Sequence, residues 1–130
     1  NFTTVTQGFT LENDGSANAT IQLQFSNNFS GFLGGDTTLG WYRYNVSNNE
    51  SSSCRNSTGG TGCAANVNCT YNPVAWSDVN TTVPGTTICP KLLFTDSSDS
   101  LKVDINISIP YDAPAGSKLS TLTATATTAS

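Results

Sequence analysis

From Leu101 to Ile109 every second residue is branched and aliphatic, Leu101, Val103, Ile105, Ile107 and Ile109, while Lys102, Asp104, Asn106 and Ser108 between them are polar. Nine residues with a period of two can bury a single face only as a β-strand. No stretch holds a 3.6-residue apolar period through three turns, so the chain predicts an all-β fold. Residues 19–25 form a second strand with Ile21, Leu23 and Phe25 inward. Residues 40–46 form a third, Tyr42, Tyr44 and Val46 on one face and Trp41, Arg43 and Asn45 on the other. Shorter strands are expected at 74–76, 79–83 and 88–94. Pro110, Pro114 and Gly116 then turn the chain into a last, Thr- and Ala-rich strand over about 118–128. Short strands separated by Gly, Pro and Asn turns predict a β-sandwich of the immunoglobulin-like or jelly-roll kind. Its expected core is Ile21, Leu23, Phe25, Tyr42, Tyr44, Leu93, Val103, Ile105, Ile107 and Ile109.

With 130 residues the chain fits one domain. Only 11% of residues are charged, against about 25% in ordinary domains. Neutral polar groups take their place: 20 Thr, 16 Ser and 14 Asn. A net charge of -4 and five scattered basic residues provide no basic patch for nucleic acid. No apolar run reaches the roughly 18 residues that span a bilayer, so the chain is not expected to be membrane-embedded. No basic and apolar leader opens the sequence, so any signal peptide is expected to lie outside it. The absence of His excludes Ser-His-Asp and Cys-His catalysis and His-bound zinc. No enzymatic activity and no cofactor are expected. Asp96 and Asp99 are the tightest acidic pair and could serve calcium, but an Asx-type turn is the favoured reading. Gly31 to Gly35 lacks the G-K-[ST] of a phosphate loop and reads as a hairpin or bulge turn.

The four cysteines, Cys54, Cys63, Cys69 and Cys89, contain no C-x-x-C, and two disulfides formed in an oxidising compartment are expected. Three connectivities are open; the Gly59-Gly60 turn favours Cys54 with Cys63, leaving Cys69 with Cys89. They staple a Ser-, Asn- and Gly-rich excursion over 47–72. N-x-[S/T] sequons occur at Asn1, Asn18, Asn28, Asn45, Asn49, Asn56, Asn68, Asn80 and Asn106. Composition alone would supply about four. Extensive N-glycosylation and an extracellular, cell-surface location are therefore expected, with covalent glycans the only non-protein groups. Asn1 is the least favourable acceptor, being terminal.

At the N-terminus Val5, Gln7, Phe9 and Leu11 alternate with Thr4, Thr6, Gly8 and Thr10, and the turn-forming stretch 12–17 follows. This strand either opens its own sandwich or completes the sheet of a neighbouring copy, as in donor-strand complementation. The ending Ile107-Ser-Ile-Pro-Tyr-Asp-Ala-Pro-Ala-Gly-Ser-Lys-Leu-Ser-Thr-Leu-Thr-Ala-Thr-Ala126 resembles the terminal hairpin of archaeal secreted β-sandwich filament proteins. With the dense sequons and the N-terminal strand, the whole chain resembles the thread-filament subunit of Sulfolobus-type archaea. That resemblance implies head-to-tail filaments with a glycan coat, built of identical subunits and serving adhesion or biofilm through surface or cell–cell contacts. Residues 1–12 would be the donor strand, carrying Val5, Phe9 and Leu11, and 13–130 the single sandwich domain. An isopeptide cross-link from Lys91, Lys102, Lys118 or the α-amine of Asn1 is a further expectation for a pilus-type protein. The rival reading is a monomeric carbohydrate-binding or surface-layer module using Trp41, Tyr42, Tyr44, Tyr71 and Trp76 as a sugar platform.

Overall fold

The computed structural model describes residues 2–4, 8–55, 76–83 and 85–129. Among them the strands are β1 (Phe2–Thr4), β2 (Phe9–Glu12), β3 (Ala19–Phe25), β4 (Trp41–Asn48), β5 (Cys54–Arg55), β6 (Ser77–Asp78), β7 (Thr86–Leu92), β8 (Ser100–Ser108) and β9 (Leu122–Thr128). A short helical turn, α1 (Phe29–Phe32), joins β3 to β4. One sheet runs β1-β8-β4-β6, with β2 also on β8; the other runs β5-β7-β3-β9. Every pairing is antiparallel. The protein is an all-β sandwich.

The alternation that predicts these strands also fills the core. In β3, Ala19, Ile21, Leu23 and Phe25 are buried and the residues between them half-buried; Tyr42, Tyr44 and Val46 of β4 face them. Tyr42 meets Phe25 edge-on, their ring centroids 5.9 Å apart, a geometry that sets ring edge against ring face. From β8, Leu101 and Val103 are fully enclosed, with Ile105 and Ile107 packed at the margin.

Three differences from the sequence expectation have physical causes. Ile109 lies beyond the end of β8 and is 46% exposed, because the strand stops at Ser108 before Pro110. In β7 the register against β3 shifts twice, allowing consecutive Ile88 and Cys89 both to face inward. That irregularity accommodates Pro90, which cannot donate to a ladder. It also moves the phase by one: Leu92, not Leu93, enters the core. Finally, α1 replaces the hairpin or bulge turn expected near 31–35. Asn28 caps it by accepting from the Gly31 N–H at 2.9 Å, and Gly34 and Gly35, at φ 71° and 79°, end it. The turn buries Leu33, which alternation had no means of marking.

The expected strands at 79–83 and 74–76 differ as well. The strand beside β4 is Ser77–Asp78; Val79 packs into the core just after it, and Trp76 stands outside any strand. Residues 74 and 75 lie outside the described residues, as do Tyr71 and most of the 47–72 excursion. Cys54 is bonded to Cys89, overturning the Cys54–Cys63 expectation. Proximity along the chain across Gly59-Gly60 favoured the shorter loop. Instead β5 lies antiparallel beside β7, and the two Cα atoms stand 5.8 Å apart, within the span a disulfide requires. Cys69 is therefore not the partner of Cys89. Cys63 and Cys69 lie outside the described residues.

Candidate functional site: the open edge and the sequon-bearing surface

The N-terminal strand lies on the edge of the first sheet. Thr4 pairs with Asn106 and Phe9 with Val103, so the N-terminal side advances five residues while β8 advances three. Gly8 sits in this interval, its N–H donating to Asp104 Oδ1 at 3.2 Å. Its backbone presses so close to β8 that a Cβ there would run into the Val103 carbonyl oxygen and lie 2.8 Å from Asp104 Oδ1. Only glycine fits that approach.

Beneath this strand the sandwich is open. An apolar groove of about 600 Å³ runs between β2 and β9, floored by Leu23 and Phe25 of β3 and walled by Val103, Ile105 and Ile107 of β8. Phe9 and Leu11 both line it, yet Phe9 remains 57% exposed. On the opposite lip Leu122 and Ala124 line the groove, and Ala124 and Ala126 reach a smaller continuation beside Leu11. Ala124 and Ala126 pair with Leu23 and Ile21 of β3, but both are exposed. Alanine is too short to close the gap, and among the described residues no strand lies on the outer edge of β9. Of the expected donor residues, Phe9 and Leu11 therefore share the groove, while Val5 lies outside the described residues.

The strand joins the body through Asn13. Its N–H donates to the Asp99 carbonyl at 3.0 Å, and its Nδ2 reaches the carbonyls of Ala17, Leu92 and Leu93 at 3.0, 3.3 and 3.1 Å. Sequence reading assigned Asn13 only to a turn. Its Oδ1 does accept from the Gly15 N–H at 3.1 Å, the local signature of such a turn, but the long-range bonds had no sequence signal.

The sequons divide by setting. Asn80 is exposed, and its Oδ1 accepts from the Thr82 N–H at 3.0 Å, an Asx turn. Asn28 uses Oδ1 for the α1 cap. Asn106 accepts from Trp41 Nε1 at 2.6 Å through Oδ1, which fixes its amide beside the indole. Asn45 shares that outer face of the sheet, paired with Asp104 while Asn106 pairs with Arg43; Asn45 Oδ1 is buried without a partner. Asn49 Nδ2 donates to Ser100 Oγ at 3.0 Å, a bond that the one hydrogen kept by a glycosylated amide can still make. Asn18 is half-buried, its carbonyl accepting from the Ala129 N–H at 2.8 Å. Asn1, Asn56 and Asn68 lie outside the described residues.

The aromatic residues do not form one platform. Tyr42 and Tyr44 belong to the core, and Trp76 stands 36% exposed away from it. Trp41 borders a partly polar cleft of about 260 Å³, which Tyr42 also lines, with Arg43 over the Trp41 ring at 5.3 Å and Arg43 paired to Asp78 at 3.2 Å. Of the amines considered for a cross-link, Lys102 pairs with Asp104 at 3.9 Å.

At the far end of β2, acidic side chains from four segments converge: Glu12, Asp14, Glu50, and Asp96 with Asp99. Asp99 is only 2% exposed, and burial, a hydrogen bond with Glu50 and the neighbouring carboxylates all push its carboxyl above the ordinary range. Glu12 is raised by Asp14 and Asp99 first. A backbone turn precedes Asp99, the Ser98 N–H donating to the Thr95 carbonyl at 2.7 Å. Among the described residues no three acidic or sulfur side chains are placed to hold a metal.

Compared with known proteins, the chain matches no family model, and neither a curated protein nor a solved structure matches it. Among the described residues no helix is long and apolar enough to cross a membrane.

Proposed function

We propose that this chain is the structural subunit of an extracellular, N-glycosylated filament, in which the N-terminal strand of one copy completes the sandwich of the next. The observation that carries the reading is the underfilled edge: an apolar groove of about 600 Å³ beneath a strand whose own Phe9 is 57% exposed. Exchanging an identical strand between copies is a low-cost route to assembly, since every pairing made within one chain is available between two. Within one chain the tether at Asn13 and the uneven advance between Thr4 and Phe9 constrain how the strand lies. A strand arriving from a neighbour is free of that tether. It can take one register along β8 and present Val5, Phe9 and Leu11 to the groove together. Because donor and acceptor surfaces differ, the contact is head to tail and does not close.

The sequons suit such a filament. Asn28, Asn80, Asn45 and Asn106 do not line the groove, so a glycan coat and strand insertion do not compete. Sugar then supplies the hydrated surface that an 11% charged chain lacks. Adhesion or biofilm cohesion is the role such a coated thread would serve.

Electron microscopy of the native material tests the proposal, together with deletion of residues 1–11. Filaments from the full chain and soluble monomers from the deletion are expected; monodisperse monomers from the full chain would end it. A monomeric carbohydrate-binding module is favoured by one observation, the Trp41 cleft. Saccharide binding lost in Trp41→Ala would support that second reading.

A further inference from the structure

We propose that Asp99 and Glu50 share one proton, and that this proton latches the base of the N-terminal strand to the sandwich, tightening that end in acid and loosening it toward neutral pH. The starting point is an anomaly: Asp99 is more than nine-tenths buried, and its Oδ1 has no hydrogen-bond partner. A buried carboxylate oxygen without a partner is among the least tolerated atoms in a protein interior. Its backbone N–H donates to Glu50 Oε2 at 3.0 Å, which draws a second carboxylate against it. Two such groups in contact need something positive between them. A proton taken from solvent makes one of them a hydroxyl donor to the other and removes one of the two charges.

The surroundings select a proton over a cation. Every charge that bears on Asp99 is negative: Glu50 from the β4–β5 link, Asp96 from the β7–β8 link and Asp14 from the β2–β3 link. Glu12, the last residue of β2, feels the same group. No cation opposes them among the described residues, and no three carboxylates there are placed to bind a metal.

The consequence follows from what Asp99 holds. Its carbonyl receives the Asn13 N–H, and the next residue, Ser100, pairs with Glu12 as the last rung of β2 on β8. Ser100 N–H donates to Ser53 Oγ at 3.2 Å, and Ser53 Oγ donates to the Glu50 carbonyl at 2.8 Å. Three chain links are thus tied through the carboxyl pair and its backbone. With the proton bound, the ties are unopposed. Losing it places mutually repelling charges in the knot that anchors the N-terminal strand. The folded chain binds this proton more tightly than the unfolded chain does, so stability at this end is full in acid and falls as pH rises from the ordinary carboxyl range through the raised one. Ordinary acid denaturation has the opposite sign. The proposal concerns the chain's own fold and does not depend on the filament reading.

Amide hydrogen exchange of Asn13 and Ser100, corrected for intrinsic rate, tests this in the intact chain between pH 3 and 7, alongside carboxyl NMR titration of Asp99. Protection should fall as pH rises, about tenfold for each unit by which folding raises the Asp99 titration. The Asp99 carboxyl should titrate above the ordinary range. In Asp99→Asn the amide replaces the proton, and protection at neutral pH should match that of the wild type in acid; Glu50→Gln gives the same test if the first variant does not fold. Protection independent of pH in the wild type, or an unchanged pH profile in either variant, overturns the proposal. So does calcium chloride alone restoring protection at neutral pH, which would make the pair a cation site.

Discussion

The Cys54–Cys89 bond closes a loop of 35 positions, and the effect of its loss can be worked out. On the chain-entropy account a loop of that length stabilises by about 4 kcal/mol. Small domains have roughly 5 to 15 kcal/mol in total, so this bond alone is a large share. For 130 residues, whose unfolding entropy is about 2.1 cal/mol/K each, a loss of about 4 kcal/mol lowers Tm by about 15 °C. Both cysteines are fully buried, so the paired Cys54→Ala, Cys89→Ala variant adds a small void that increases the loss. Urea unfolding of this variant should show the lower midpoint. The linkage itself needs two cuts to read. Trypsin separates Cys54 from the other three by cutting at Arg55, but leaves Cys63, Cys69 and Cys89 in one peptide ending at Lys91. Chymotrypsin, cutting after Tyr71 and Trp76, then isolates Cys89. A non-reduced fragment joining Cys54 to Cys89 is expected. A fragment joining Cys54 to Cys63, or a stability loss below about 1 kcal/mol, would refute the reasoning.

Gly8→Ala should release the N-terminal strand from β8, seen as loss of amide protection at Thr10 and Leu11, while the Tyr42 and Phe25 core signals persist, because the nearest atoms the added Cβ meets belong to Val103 and Asp104 of β8. Leu33→Ala removes a side chain that is 1% exposed and should cost about 2 to 5 kcal/mol in chemical unfolding. Burial raises the Tyr42 phenol above its usual range, opposed by its hydrogen bond with Ser120. The folded chain thus favours the neutral phenol, and stability should fall as pH rises past the ordinary tyrosine value, with Tyr42→Phe flattening that alkaline limb. Asn80→Gln should remove one glycan by intact mass without lowering Tm measurably, since Asn80 is exposed and bonded only within its own turn.

Legibility followed the range of the forces involved. The inward faces of β3 and β4, and of β8 up to Ile107, were readable because alternation is a local consequence of strand geometry, whatever the partner strand. Where local geometry departs from alternation the reading slipped: Leu93 for Leu92 across the irregular β7, Ile109 past the strand end, and Leu33 on a helical turn. Phe9 and Leu11 were readable as one apolar face, but the groove they share is made by β3, β8 and β9.

The sequence by itself determined an all-β chain with few charges, no histidine and nine potential glycan acceptors, because these depend on residue type and near-neighbour spacing alone. Tertiary structure alone decided that Cys54 meets Cys89, that Gly8 must lie against the Val103 carbonyl, and that Asp99 is buried among acids from four separate segments. Apart from the neighbouring Asp96, those contacts join residues from 35 to 96 positions apart. They exist only because antiparallel pairing lays distant strands side by side, a global solution to burying several apolar faces at once that no short stretch encodes.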